Sequence, residues 1–189
     1  RTSVSDVVAM DRSALARHSP AFEKKGRLRV ASKQLHFLME RQQQPNWCWA
    51  AAAASAGNFF SPGSSFAQCG IATACLGDNA CCRAPEACNR YHRLDTALKA
   101  AQCFGGVEAR PELFEHLKLA IEAERPVGVR IGWHGGGGHF VMLTGYDDEN
   151  AAVAVDDPHY GRSTVRFDAF PARYRSGGDW THSYATRAS

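Results

Sequence analysis

Apolar positions along this chain change character once. Up to Pro126 they gather in blocks of helical length, and after it they fall in short runs cut by turn residues. The run from Cys48 to Phe60, opening Cys-Trp-Ala-Ala-Ala-Ala-Ala-Ser-Ala-Gly, is apolar on every side and predicts a buried helix. Its small side chains let neighbouring elements come close, and Ser61, Pro62 and Gly63 end it. Residues 40–46 precede it as a loop, because the residue before Pro45 is biased away from helix. Residues 64–90 predict only short pieces. Tyr91 to Cys103 predicts a second helix that stops at Gly105-Gly106. Pro111 opens a third, proline being favoured at the first helical position, and Leu113, Leu117 and Ile121 share one face of it. Downstream, Val127 to Trp133 predicts a strand, followed by four glycines, Gly135 to Gly138. His139 to Tyr146 is apolar on both faces, as a central strand is. Asp147-Asp148-Glu149-Asn150 supplies a turn, Ala151 to Asp156 returns, and Pro158 stops the run. Arg162 to Phe167 and Trp180 to Tyr184 predict two more strands. Helices first and an antiparallel sheet second is an α+β layout.

Length and charge narrow the picture. A chain of 189 residues with 44% hydrophobic composition can bury the core of one domain, expected over 34–189, behind a polar arm over 1–33. That arm carries Lys24, Lys25, Arg27, Arg29 and Lys33 and reads as a solvated segment ending in an edge strand over Arg27 to Ser32. A net charge of +3 is too small for a dedicated nucleic-acid binder. No apolar run approaches the roughly 20 residues of a membrane span. The chain opens at Arg1 without an initiator Met or a leader pattern, so a processed or excised piece is expected.

Cysteine usage adds a compartment. Five of the seven cysteines (Cys69, Cys75, Cys81, Cys82, Cys88) crowd together, Cys103 follows, and Cys48 stands apart. The odd total predicts three disulfides and one free thiol, Cys48, with the connectivity open among 15 possibilities. The spacings do not suit a structural zinc site, whose paired ligands stand two to four residues apart. Disulfides imply an oxidising destination, hence a secreted protein.

The isolated cysteine has a chemical reading. At the start of a helix it faces a partial positive charge and unpaired N–H groups, which favour an anionic sulfur, the nucleophilic form. Of eight histidines, His139 differs: it begins a buried strand directly after the glycine run, where a substrate could come close. The hairpin then supplies an acid. If Tyr146 pairs with Ala151, Phe140 meets Asp157 and Val141 meets Asp156; a one-residue slip sets Asp157 opposite His139. Either register puts a carboxylate beside the histidine.

With those residues in place the chain resembles a known family. Gln-Gln-Gln-Pro-Asn-Trp-Cys-Trp-Ala-Ala at 42–51 is similar to the active-site segment of papain-like cysteine peptidases, specifically the bacterial avirulence-effector branch. Arg-Pro-Val-Gly-Val-Arg-Ile at 125–131, His-Phe-Val-Met-Leu-Thr-Gly-Tyr-Asp at 139–147 and Val-Asp-Asp-Pro-His-Tyr-Gly at 155–161 resemble its second half. The likeness covers roughly residues 35 to 185. It implies Cys48 as nucleophile, His139 as base, Asp157 as the group orienting the imidazole, and Gln42 with the Cys48 backbone N–H as donors to an oxyanion. The stretch 69–103 looks like an inserted, disulfide-stapled subregion of the kind found in secreted bacterial relatives. Gly135 to Gly138 is not a phosphate loop, since no Gly-Lys-Ser/Thr follows.

The resulting expectation is a secreted bacterial thiol protease acting on a protein or peptide substrate through an acyl-enzyme, as an effector or toxin domain. No cofactor or metal is expected, nor a nucleic-acid or membrane partner. A monomer is expected, with room for a dedicated inhibitor or immunity protein. Two alternatives keep the fold: a glutamine deamidase or transglutaminase-like toxin with the same triad, and a catalytically silent binding module.

Overall fold

The computed structural model describes residues 32–189. Of the arm expected over 1–33, everything before Ser32 lies outside the described residues, including its basic cluster up to Arg29. The edge strand expected over Arg27 to Ser32 shares only Ser32 with them. A short strand does start there: β1 (Ser32–Gln34).

The helical half begins with α1 (Cys48–Phe60), buried continuously from Cys48 through Gly57. A helix so uniformly small and apolar can be surrounded, and α1 packs on α2 (Gln68–Leu76), on α3 (Leu94–Ala100) and on the sheet. Two expectations change here. The cysteine-rich stretch holds a full helix, α2, ended by Gly77 in the left-handed conformation. The helix expected over Tyr91 to Cys103 shrinks to α3: Arg93 just ahead of it is extended, and 101–103 leave it in a turn. The chain then forms β2 (Phe104–Glu108), which the double glycine had concealed, and α4 (Phe114–Glu122), which buries Leu117 and Ile121 as expected while Leu113 is exposed just ahead of it.

The remaining elements are β3 (Val127–Trp133), β4 (Gly138–Asp147), β5 (Ala152–Asp157), β6 (Gly161–Arg166) and β7 (Gly178–Thr186). All pairings are antiparallel, in the order β2-β7-β3-β4-β5-β6. β1 takes up the flank of β4 where β3 ends: Val127 pairs with Leu143 and Gln34 with Gly145. A side chain at Gly145 would stand 2.5 Å from Gln34 Oε1 and 2.8 Å from Lys33 O, so β1 can dock only on a glycine. The fold is α+β, helices packed on one antiparallel sheet.

Neither expected register of the β4–β5 hairpin is the observed one. Asp147 is the last paired residue, facing Ala152, and its Oδ1 accepts the Glu149 and Asn150 N–H groups across the turn. Tyr146 therefore pairs with Val153, not Ala151. A shift between Leu143 and Gly145 then sets Met142 opposite Asp156. Continuing the ladder puts Asp157 across from Val141, two residues along from His139 and on the same face, where a diagonal contact can form.

Candidate active site

The segment around Cys48 is seated by hydrogen bonds to a single stretch of backbone. Trp47 Nε1 donates to Cys88 O at 2.8 Å and Trp49 Nε1 to Arg90 O at 3.0 Å. Asn46 donates twice to Asn89, through its backbone N–H and its side-chain amide. Indole N–H groups buried in an apolar layer need acceptors, and residues 88–90 supply them. This saddle is itself fixed by the Cys81–Cys88 disulfide. The cysteine-rich stretch thus holds the helix start that presents Cys48, a role the sequence did not disclose.

His139 Nε2 and Asp157 Oδ1 lie 2.9 Å apart, with the histidine side chain 9% and the aspartate side chain 0% exposed. The same Oδ1 accepts the backbone N–H groups of His159 at 2.7 Å and Tyr160 at 2.9 Å, and Oδ2 accepts the Tyr174 hydroxyl at 2.9 Å. Burial alone would push the Asp157 carboxyl up; the His139 contact and the two backbone donors more than offset it and hold it low. Burial likewise opposes a charged His139, but Asp157 and the adjoining Cys48 sulfur raise the imidazole to about 9. With Nε2 engaged by the acid, Nδ1 is the nitrogen left for the thiol. Trp133 stacks on the His139 ring at 5.7 Å and Tyr160 meets its edge at 6.3 Å, screening the pair from water.

Asp156 does something different. Its carboxylate is gripped by Arg162 through Nε at 2.9 Å and Nη2 at 3.0 Å and accepts the Thr144 hydroxyl. Arg162 also reaches Phe37 O, so Asp156 ties β5 and β6 to the strap before the glutamine loop.

Gln42 lies in that loop and lines one small pocket, of about 230 Å³, together with Cys48 and His139. Its backbone N–H donates to Pro158 O at 2.8 Å, joining the glutamine loop to the turn that carries Asp157. The side-chain Nε2 donates to Gln44 O and Pro45 O, while Oε1 is buried without a hydrogen-bond partner. Gln43 and Gln44 do not share this pocket. Gln43 N–H instead donates to the buried Gln68, which also bonds Glu40 and Arg41 O and so anchors the loop from below.

The cysteine expectation needs correcting. Two disulfides form, Cys69–Cys82 and Cys81–Cys88, and three thiols are free: Cys48, Cys75 and Cys103. Parity pointed to three bridges, but Cys75 and Cys103 serve as small apolar groups packed in the helical layer. Burial, helped by the Asp95 charge, pushes the Cys75 thiol up to about 11, and burial alone takes Cys103 to about 12. Asp78 lies beside Cys81 and Cys88 in a cluster of metal-ligand type, yet those two sulfurs are bonded to each other.

Trp133 and Tyr174 complete the site from outside the motifs. Trp133 could have been found by counting the β3–β4 hairpin, in which Ile131 pairs with His139 and Gly132 with Gly138. Tyr174 could not, since it arrives from a loop with no periodicity.

On the other side of Cys48 opens a groove of about 800 Å³, walled by Trp49, Tyr91, Phe140 and Tyr184 and containing Arg130. No helix among the described residues is long and apolar enough to cross a membrane.

Comparison with known proteins bears on this constellation. No curated protein matches the chain. Among solved structures it is similar to xylellain, a cysteine protease from Xylella fastidiosa, at 14% identity and a TM-score of 0.52, over 85% of this chain and 87% of that one. At that identity the likeness concerns the fold, which is papain-like. The sequence profile of the family described as papain-like cysteine protease AvrRpt2 matches residues 31–175, well over half of the chain and spanning every residue of the site from Gln42 to Tyr174. The protein with this buried thiol, imidazole and carboxylate belongs to the AvrRpt2 family of papain-like cysteine proteases.

Proposed function

We propose that the chain is a secreted bacterial protease that cleaves protein substrates through a thioester on Cys48, with His139 and Asp157 completing the triad and Gln42 assisting. The observation that carries this reading is the buried His139–Asp157 contact with the Cys48 sulfur on the remaining side of the ring. In the forward step Cys48 gives its proton to His139 Nδ1 and its sulfur attacks the scissile carbonyl carbon. The resulting oxyanion is taken by the Cys48 backbone N–H and by the Gln42 amide, which exchanges its bond to Pro45 O for the new acceptor. The imidazolium then protonates the departing amine. Water, deprotonated by His139, releases the acyl group and restores the thiol. Asp157 remains charged throughout, keeping the ring oriented and the imidazolium stable. Two disulfides suit delivery outside the reducing cytoplasm, and an effector role follows from the family's character.

The test is incubation with a mixed proteome followed by mass spectrometry of the products. New peptide termini generated by the wild type and absent with Cys48→Ala support the protease reading. Glutamine-to-glutamate conversion or new isopeptide links without new termini would replace it with the deamidase or transferase reading.

A further inference from the structure

The two cavities flanking Cys48 differ in what they contain, and the difference orients a substrate. The small pocket contains His139, the group that must hand a proton to the leaving amine, so the amine side of the scissile bond lies there. The large groove is lined by Cys48 but not by His139, so it receives the acyl side. Strand alternation produces this division: His139 faces Asp157, whereas the next residue, Phe140, turns into the groove.

Arg130 on β3 stands directly opposite Phe140 on β4 and His182 on β7, so the three share one face. Its Nη1 donates to Thr181 Oγ1 at 3.0 Å, and among the described residues no carboxylate pairs with it. The groove does contain one acid, Asp95, but that carboxylate is held by both Nε and Nη2 of Arg93, at 2.9 and 2.8 Å, with Lys99 at 3.9 Å. Of the groove's charged groups, Arg93 and Asp95 therefore cancel, and Arg130 is left over; His92 and His182 can only add positive charge. The Tyr184 hydroxyl, beside Arg130, has no hydrogen-bond partner among the described residues. The approach to the guanidinium is kept open by Gly138, where a Cβ would fall 2.9 Å from Arg130 Nη2.

A partly enclosed cationic group with spare donors, at the end of an aromatic-walled groove, calls for a ligand with an apolar stem and an anionic head. We propose that this groove selects substrates bearing a glutamate or aspartate side chain on the acyl side, within the first three residues before the scissile bond, through Arg130. The inference rests on Cys48 being the attacking nucleophile.

It is tested with peptidyl vinyl sulfones, which alkylate Cys48 without requiring hydrolysis and so report on the groove independently of the products formed. Three matched sets carry Glu, Gln or Lys at each of the first three acyl-side positions. The expected result is a position at which the Glu probe modifies Cys48 at least tenfold faster than the Gln probe, with Lys slowest. In Arg130→Gln that Glu/Gln ratio falls to about one, in Arg130→Lys part of it survives, and in Arg130→Glu the order turns toward Lys. Iodoacetamide, too small to sense the groove, shows whether the thiol–imidazole pair of each variant is intact. Should the variants fail to fold, the wild-type ratio itself must shrink between 50 and 500 mM salt as the charge contact is screened. A wild-type Glu/Gln ratio within twofold at all three positions overturns the proposal. So does a ratio unchanged in Arg130→Gln, or no modification by any peptidyl probe while iodoacetamide reacts. The protease reading fails separately, on the absence of new termini.

Discussion

Replacing Asp157 by Asn removes the charge beside His139 while keeping the shape of the side chain. Its Oδ1 can still accept from His139 Nε2, His159 N–H and Tyr160 N–H, and the Tyr174 hydroxyl can rotate to accept from the new amide. What changes is the proton affinity of the imidazole, raised from 6.5 to about 9 against the pull of burial. Without the anion only the Cys48 sulfur still opposes that pull, and the His139 value falls from about 9 back toward the ordinary 6.5. At pH 7.5, where the wild-type imidazole is almost wholly protonated, full reversion to 6.5 would set an upper limit of about a tenfold loss. The loss should nearly vanish at pH 6 and deepen at pH 8.5. The assay is the pH profile of kcat/KM on a cleaved peptide. Wild type should show a basic limb near 9 and Asp157→Asn one displaced toward 6.5. The stability linkage has the matching sign. A histidine whose folded pKa is raised contributes stability that is fully present below about 6.5 and lost as pH rises through about 9. The wild-type Tm should therefore fall relative to that of Asp157→Asn across this window. Asp156→Asn is the control: it loosens Arg162 and lowers Tm but leaves the basic limb in place. A limb still near 9 in Asp157→Asn, or one displaced in Asp156→Asn, would refute the assignment.

Other consequences are as direct. Iodoacetamide at pH 7 should label Cys48 well before Cys75 or Cys103, whose thiols burial holds at about 11 and about 12; equal labelling in a peptide map would contradict this. The native mass should lie four hydrogens below the fully reduced mass, from two bridges, and a deficit of six would restore the expectation of three. Each bridge closes a loop worth about 2–3 kcal/mol in the chain-entropy picture, so reduction should lower Tm clearly. Because Cys88 anchors the saddle under Trp47 and Trp49, the double variant Cys81→Ser/Cys88→Ser should lose kcat more than Cys69→Ser/Cys82→Ser; equal losses would mean the saddle does not position Cys48.

How far the sequence reached can be traced residue by residue. The start of α1 at Cys48 was legible because a long all-apolar run after a Pro-Asn turn has few other readings. The nearness of His139 and Asp157 was legible for a sturdier reason than the register. The expected pairing was wrong, because the turn spans 148–151 and the ladder slips near Thr144, yet both expected registers and the observed one bring an aspartate beside the histidine. Choosing between Asp156 and Asp157 required knowing the face, which depends on the slip. Disulfide parity failed because buried thiols can fill space without bonding. Trp133 was within reach of a hairpin count, but the edge-on Tyr160, the hydroxyl of Tyr174 and the Arg130 left without a carboxylate are products of tertiary assembly, and no local pattern announces them.

A thioester on Cys48 can be trapped by acid-quenching the enzyme during turnover of a cleaved peptide. Mass spectrometry of the Cys48-bearing fragment then reads its covalent state. The expected species is an adduct equal in mass to the acyl half of the substrate, labile to hydroxylamine and absent in Cys48→Ala. Turnover that proceeds with Cys48 unmodified, or that persists in Cys48→Ala, would contradict it.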